Sequence, residues 1–173
     1  MLPDVLKLVL TGLAFLILEI VVGPYLDING RRPDLFLIFV MTLAIYKGRR
    51  EAMWVGFCGG LFQDAVSLHF LGVYAFAKSS LGFWVGWQFE RQSWSIMTWM
   101  FPALVFAAAW LQFLWAGLFL LMGAEADFAR YVFAVALPSA VYTAFLGYVW
   151  ILVPGLPRLA GARIPGHGKL KGF

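Results

Sequence analysis

One cysteine and two histidines in 173 residues leave little for thiol or metal chemistry. Cys58 has no partner within the chain, so no internal disulfide can form, and a single thiol says nothing of compartment. In its apolar run it reads as a small hydrophobe. His69 stands alone in the loop from Val66 to Leu71 with no ligand at metal spacing, and reads as a solvated or hydrogen-bonded loop residue. Charge is also scarce, at 13% of residues, where a soluble domain carries about 25%. The chain has no His-Glu-x-x-His, no Gly-x-Ser-x-Gly, no Walker loop and no paired cysteines. No acidic cluster suggests metal-dependent phosphotransfer. The expectation is a protein that is not an enzyme and needs no cofactor and no metal.

What fills the chain instead is apolar. Hydrophobic residues make up 62%, against roughly 45–50% in soluble domains, so lipid is the expected solvent. A helix needs about 20 mostly apolar residues to cross a bilayer core. The sequence divides into six runs: Asp4–Tyr25, Asp34–Tyr46, Ala52–Val66, Gly72–Phe89, Ser95–Met122 and Phe128–Val153. The second is short and needs a thinned bilayer or shielding neighbours. The first contains Glu19 and runs into Gly23-Pro24-Tyr25 rather than a small-residue cleavage site, so it reads as a retained helix. Pro154 and Pro157 stop the sixth. The expected architecture is an all-α membrane protein, a six-transmembrane-helix bundle over residues 1–157 with a short basic tail at 158–173.

Basic residues set the expected orientation. With six spans both termini share one side, which collects Lys7, Lys47, Arg49, Arg50, Arg91, Arg158, Arg163, Lys169 and Lys171. The other side collects only Arg31, Arg32 and Arg130, beside Asp27, Asp34, Glu125 and Asp127. Both termini are therefore placed in the cytoplasm. Trp54, Trp84, Trp87, Trp94, Trp99 and Trp150 fall near the cytoplasmic helix ends, where indoles favour the interface. The tail reads as an anchor beside anionic lipid, not as a nucleic-acid surface.

Lipid tails give helices no hydrophobic reason to associate, so small residues and polar contacts must bring them together. One face of the third span carries Ala52, Gly56, Gly60, Gln63 and Ser67; one face of the fourth carries Ala75, Ser79, Gly82 and Gly86; the sixth has Ala136, Ala140, Thr143 and Gly147. Self-packing is the plain use of such faces, and contact with a partner's helix is the alternative. Glu19, Asp64 and Lys78 sit inside apolar runs, where a charge costs about 2.5–3.5 kcal/mol on insertion scales. All three fall in the outer half of the membrane, and Lys78 is expected to pair with Asp64 or Glu19 and pin the helices.

These residues also carry a resemblance. Arg32-Pro33-Asp34-Leu35 is followed by an apolar run and then the basic turn Lys47-Gly48-Arg49-Arg50. Gly56 through Gly60-Leu61-Phe62-Gln63-Asp64 comes next, then Ser67, Leu71-Gly72, Ala75 and Gly82-Phe83. In order and spacing this stretch, Arg32 to Arg91, resembles the rod shape-determining MreD family, whose pattern is Pro-Asp-Leu, a basic turn, Gly-Leu-Leu-x-Asp, then Leu-Gly and a glycine-containing helix. His69 and Phe70 depart from the residues many relatives have there. The resemblance implies a bacterial inner-membrane component of the cell-elongation machinery. It also implies association with MreC, a single-span protein, and through it links to MreB, to the RodA glycosyltransferase and to its penicillin-binding transpeptidase. The implied fold is similar to the substrate-binding subunit of energy-coupling-factor transporters.

Three functions follow for comparison. The first is a non-catalytic scaffold that docks MreC's transmembrane segment, with Pro33, Asp34, Gly56, Gly60, Gln63, Asp64, Gly72, Ser79, Gly82 and Gly86 as packing or contact candidates. The alternative is the substrate-binding membrane subunit of a vitamin transporter, with Glu19, Gln63, Asp64 and Lys78 lining an outward pocket. An ion or proton pathway would use the same charges, but no helix carries a run of them.

Overall fold

A computed structural model describes residues 2–67, 71–91, 102–110, 113, 114, 117, 130 and 132–152. The described residues form helices and short turns, with no strand beyond one isolated backbone bridge. Six α-helices are present among them: α1 (Leu2–Val22), α2 (Leu35–Tyr46), α3 (Arg49–Ser67), α4 (Val73–Arg91), α5 (residues 102–110) and α6 (Leu137–Leu152). A 3-10 turn, Gly23–Leu26, follows α1, and a π-helical turn, Val132–Ala136, leads into α6.

The centre of the molecule is α2. Every residue from Phe36 to Ala44 is buried, which is where a helix apolar on all sides belongs. Its neighbours cover it from several directions. Phe15 of α1 stacks on Phe39 at 4.8 Å between ring centroids, and Trp150 of α6 meets Phe15 edge-on at 5.2 Å. Leu104, Ala107 and Ala108 of α5 complete this core. From the end of the π turn into α6, the small stripe Ala136, Ala140, Thr143 and Gly147 is buried. A Cβ at Gly147 would stand 2.6 Å from Leu104 Cδ1 and 3.4 Å from Ile38 Cγ1, so α6 lies against both α5 and α2.

The exterior is apolar. Leu6, Val9, Leu10, Leu13, Ile17, Ile20 and Val21 of α1 are exposed, as are Phe57 and Phe62 of α3, Phe133 of the π turn, and Val141 and Phe145 of α6. In water such a surface would aggregate; in lipid it is the ordinary solvent-facing side.

Two stretches, Leu6–Leu26 and Phe133–Trp150, are long and apolar enough to cross a membrane, while α2 is a shorter apolar helix. Six equivalent crossings are therefore more than the described helices show. The reason is chemical: α3 carries Arg49, Arg50 and Glu51 at one end and Gln63 and Asp64 at the other, and α4 holds Lys78, Glu90 and Arg91. The helix starts also differ from the apolar runs. Arg49 to Glu51 belong to α3, because helical backbone continues through charged residues that apolar counting excludes. His69, Trp94, Trp99, part of the fifth run, the start of the sixth and the tail lie outside the described residues.

Candidate functional site

The short α2 sets up an unusual polar problem. Its 12 residues rise about 1.5 Å each and cover about 18 Å, well short of a hydrocarbon core of about 30 Å. Its N-terminus, with unsatisfied N–H groups, therefore stops at depth. Glu19, Gln63 and Lys78 stand 12, 13 and 13 residues from Lys7, Arg50 and Arg91 respectively, which is about 18–20 Å of helix in each case. Nearly equal helix lengths thus separate these side chains from a basic residue on each of α1, α3 and α4.

Each N–H at the start of α2 finds an acceptor. Leu35 and Phe36 donate their backbone N–H groups to Glu19 Oε2, at 2.6 and 3.2 Å. Leu37 donates to Oδ1 of Asp34, the N-cap, at 2.7 Å. This is the capping arrangement that satisfies a helix start, with the carboxylates also favoured by the helix dipole. The N–H of Asp34 itself donates to Thr143 Oγ1 at 3.1 Å, and that hydroxyl donates to the Ser139 carbonyl at 2.9 Å.

Lys78 completes the cluster from α4. Its side chain is fully buried, and its Nζ lies 2.7 Å from Asp34 Oδ2 and 2.9 Å from Oδ1. It also donates to Gln63 Oε1. The rings of Phe36 and Tyr74 lie 5.3 and 5.0 Å from the ammonium, close enough for cation–π attraction. The expected partner was Asp64 or Glu19; the ion pair is with Asp34. The two other carboxylates are turned to backbone. Glu19 caps α2, and Asp64, buried, accepts from the N–H groups of Gly72, Tyr74 and Ala75 at 3.0, 3.0 and 3.1 Å, closing the start of α4. Gly72 precedes that start with φ +105, a backbone conformation that favours glycine. Pro33, buried beside Asp34, cannot donate a hydrogen bond and fixes the chain's entry into α2.

The small faces of α3 and α4 meet each other. A Cβ at Gly56 would sit 2.6 Å from the Lys78 carbonyl oxygen, one at Gly60 2.5 Å from that of Tyr74, one at Gly82 2.8 Å from that of Ala52, and one at Gly86 2.5 Å from Arg49 Cα. The pairs descend one helix as they climb the other, so α3 and α4 form an antiparallel hairpin in backbone contact. Ser79, beside this seam, turns its hydroxyl back to the Phe76 carbonyl at 3.1 Å.

Sequence reasoning missed the loop above α2. Asn29 and Gly30 have φ 56 and +78, and Ile28 and Arg31 exchange two backbone hydrogen bonds at 3.2 Å. That is a two-residue hairpin of the primed type, for which Asn-Gly is the strongest short signal. Arg31 Nε donates to the Ala134 carbonyl in the π turn at 3.0 Å. Arg32 Nε donates to Asp27 Oδ2 at 2.7 Å, and that guanidinium holds the Asp27 carboxyl below the usual carboxylate range.

Among the described residues no group of three or more His, Cys, Asp or Glu side chains is placed to hold a metal ion. The arrangement defines a small helical membrane protein whose buried charges brace its helices. A family model described as rod shape-determining protein MreD matches residues 3–159, nearly the whole chain and far beyond the motif-bearing stretch. The chain belongs to the MreD family: it is a rod-shape-determining membrane protein, of a family of structural proteins that is not a known enzyme family. No curated protein and no solved structure matches it.

Proposed function

We propose that the protein is a non-catalytic scaffold of the bacterial cell-elongation machinery, binding the transmembrane segment of MreC in the inner membrane and so linking it to peptidoglycan synthesis. RodA, its penicillin-binding transpeptidase and, indirectly, MreB are the further partners in this reading. The reading also includes six passes with both termini in the cytoplasm and a likeness in fold to transporter substrate-binding subunits. One observation supports it above the others. Glu19, Asp34, Asp64 and Thr143 accept from helix-start N–H groups, and Lys78 is paired. These five side chains at membrane depth are thus committed to bracing helices, as a scaffold requires. A vitamin-binding pocket would instead present them to a cavity. The glycine faces of α3 and α4 are occupied by each other, which moves the proposed MreC contact to the lipid-facing exterior.

The test is affinity purification of the full chain from native membranes, followed by mass spectrometry. MreC should co-purify in near-stoichiometric amount. A bound vitamin, with MreC absent, would overturn the scaffold in favour of the transporter subunit.

A further inference from the structure

At the end of the molecule opposite the Asn29–Gly30 hairpin, the α2–α3 turn is locked to the last turn of α4. Gly86 lets the backbone of Arg49 approach, and a Cβ at Gly48 would stand 2.8 Å from Glu90 Oε1. The Arg49 N–H donates to Glu90 Oε1 at 3.0 Å, and its guanidinium lies 3.3 Å from Oε2. Glu90 is therefore neutralised within the corner it builds. Lys47, Arg50 and Arg91 flank the same corner, and among the described residues none of the three forms an ion pair with a carboxylate. Arg50 and Arg91 are exposed. The Arg91 guanidinium lies 4.7 Å above the Trp87 ring, which backs it with an indole and leaves its other face open.

The level of this corner identifies what it meets. It terminates α2, the most apolar helix, so it sits where hydrocarbon gives way to headgroups. Indoles mark that level, here Trp87, and exposed Trp54 lies within the first two turns of α3. Unpaired cations gathered between helix ends at this depth are the chemistry that retains acidic headgroups. Guanidinium groups, moreover, match the geometry of phosphate oxygens. We propose that Lys47, Arg50 and Arg91 form a binding site for the phosphate headgroup of an anionic membrane phospholipid. The site is independent of the scaffold reading, on which only the assignment to the cytoplasmic leaflet rests.

Native mass spectrometry of the full purified chain, titrated with cardiolipin or with phosphatidylcholine, tests it. Wild type should retain cardiolipin preferentially. Each cation near the surface contributes about a fivefold factor, so Lys47→Gln/Arg50→Gln/Arg91→Gln should weaken retention by roughly a hundredfold, and Arg50→Gln alone by about fivefold. Arg31→Gln/Arg32→Gln, at the far end, should leave it unchanged. Equal retention of the zwitterionic lipid, or wild-type cardiolipin retention by the triple variant, would overturn the site. So would a triple variant that keeps cardiolipin but loses a co-purifying acidic protein, since the corner would then be a protein surface. The single variant removes an exposed, unpaired side chain and guards against misfolding of the triple. MreC co-purification followed in parallel separates failure of this site from failure of the scaffold.

Discussion

At the scale of single residues, Lys78 and Asp34 carry the most consequence. An ammonium taken wholly out of solvent is tolerated because two carboxylate oxygens and an amide oxygen surround it. Removing one member of such a pair leaves the other charged and unpaired, which typically costs about 3–5 kcal/mol, whereas replacing both is often close to neutral. Lys78→Met should therefore unfold far more readily in detergent than Lys78→Met/Asp34→Asn, in which the asparagine still caps α2. Equal thermal stability of the single and double variants would refute the pairing. The need for a partner was legible in the sequence, since an apolar run with a lysine in it demands one. Its identity was not. Asp34 looks like a residue of the outer boundary until the brevity of α2 lowers it to the depth of Lys78, and that placement depends on how four helices stand beside one another. Glu19 and Asp64 were singled out for the same reason and met the same need differently, by accepting from backbone.

Among the elements, the α3–α4 hairpin is held by absence of side chains. Because added atoms would strike backbone rather than a movable side-chain end, the helices must separate to admit them, and overpacking of this kind typically costs about 1–3 kcal/mol. Gly56→Ala and Gly60→Ala should each lower thermal stability by that order, while Gly23→Ala, with nothing within 4 Å of the added carbon, should leave it unchanged; a comparable loss at Gly23 would count against the close approach. The stripes that make this seam were readable directly, since residues three and four apart share a face. That they face each other followed only from the antiparallel register. The hairpin at Asn29 and Gly30 was also within reach of the sequence, but its neighbours Asp27, Arg31 and Arg32 were read for orientation, and the local turn signal was passed over. The π turn at Val132–Ala136 had no comparable turn signal in the sequence.

For the whole molecule, the proposed disposition of the ends is checked by labelling. In a Cys58→Ser background, a cysteine at Asn29 should react with a membrane-impermeant maleimide added to spheroplasts, and one at Arg50 should react only after lysis. Reaction of both from the same side would refute the six-pass orientation.

The central position of α2 also bears on how the protein is made. This helix follows α1 in the chain, yet the groups that satisfy its start are dispersed in sequence: Glu19 precedes it, Lys78 follows two helices later, and Thr143 comes in α6. Until Lys78 has been made, Asp34 has no ammonium to pair with. Nascent α2 cannot settle alone. A chain interrupted before its fourth helix therefore lacks the ammonium that neutralises Asp34.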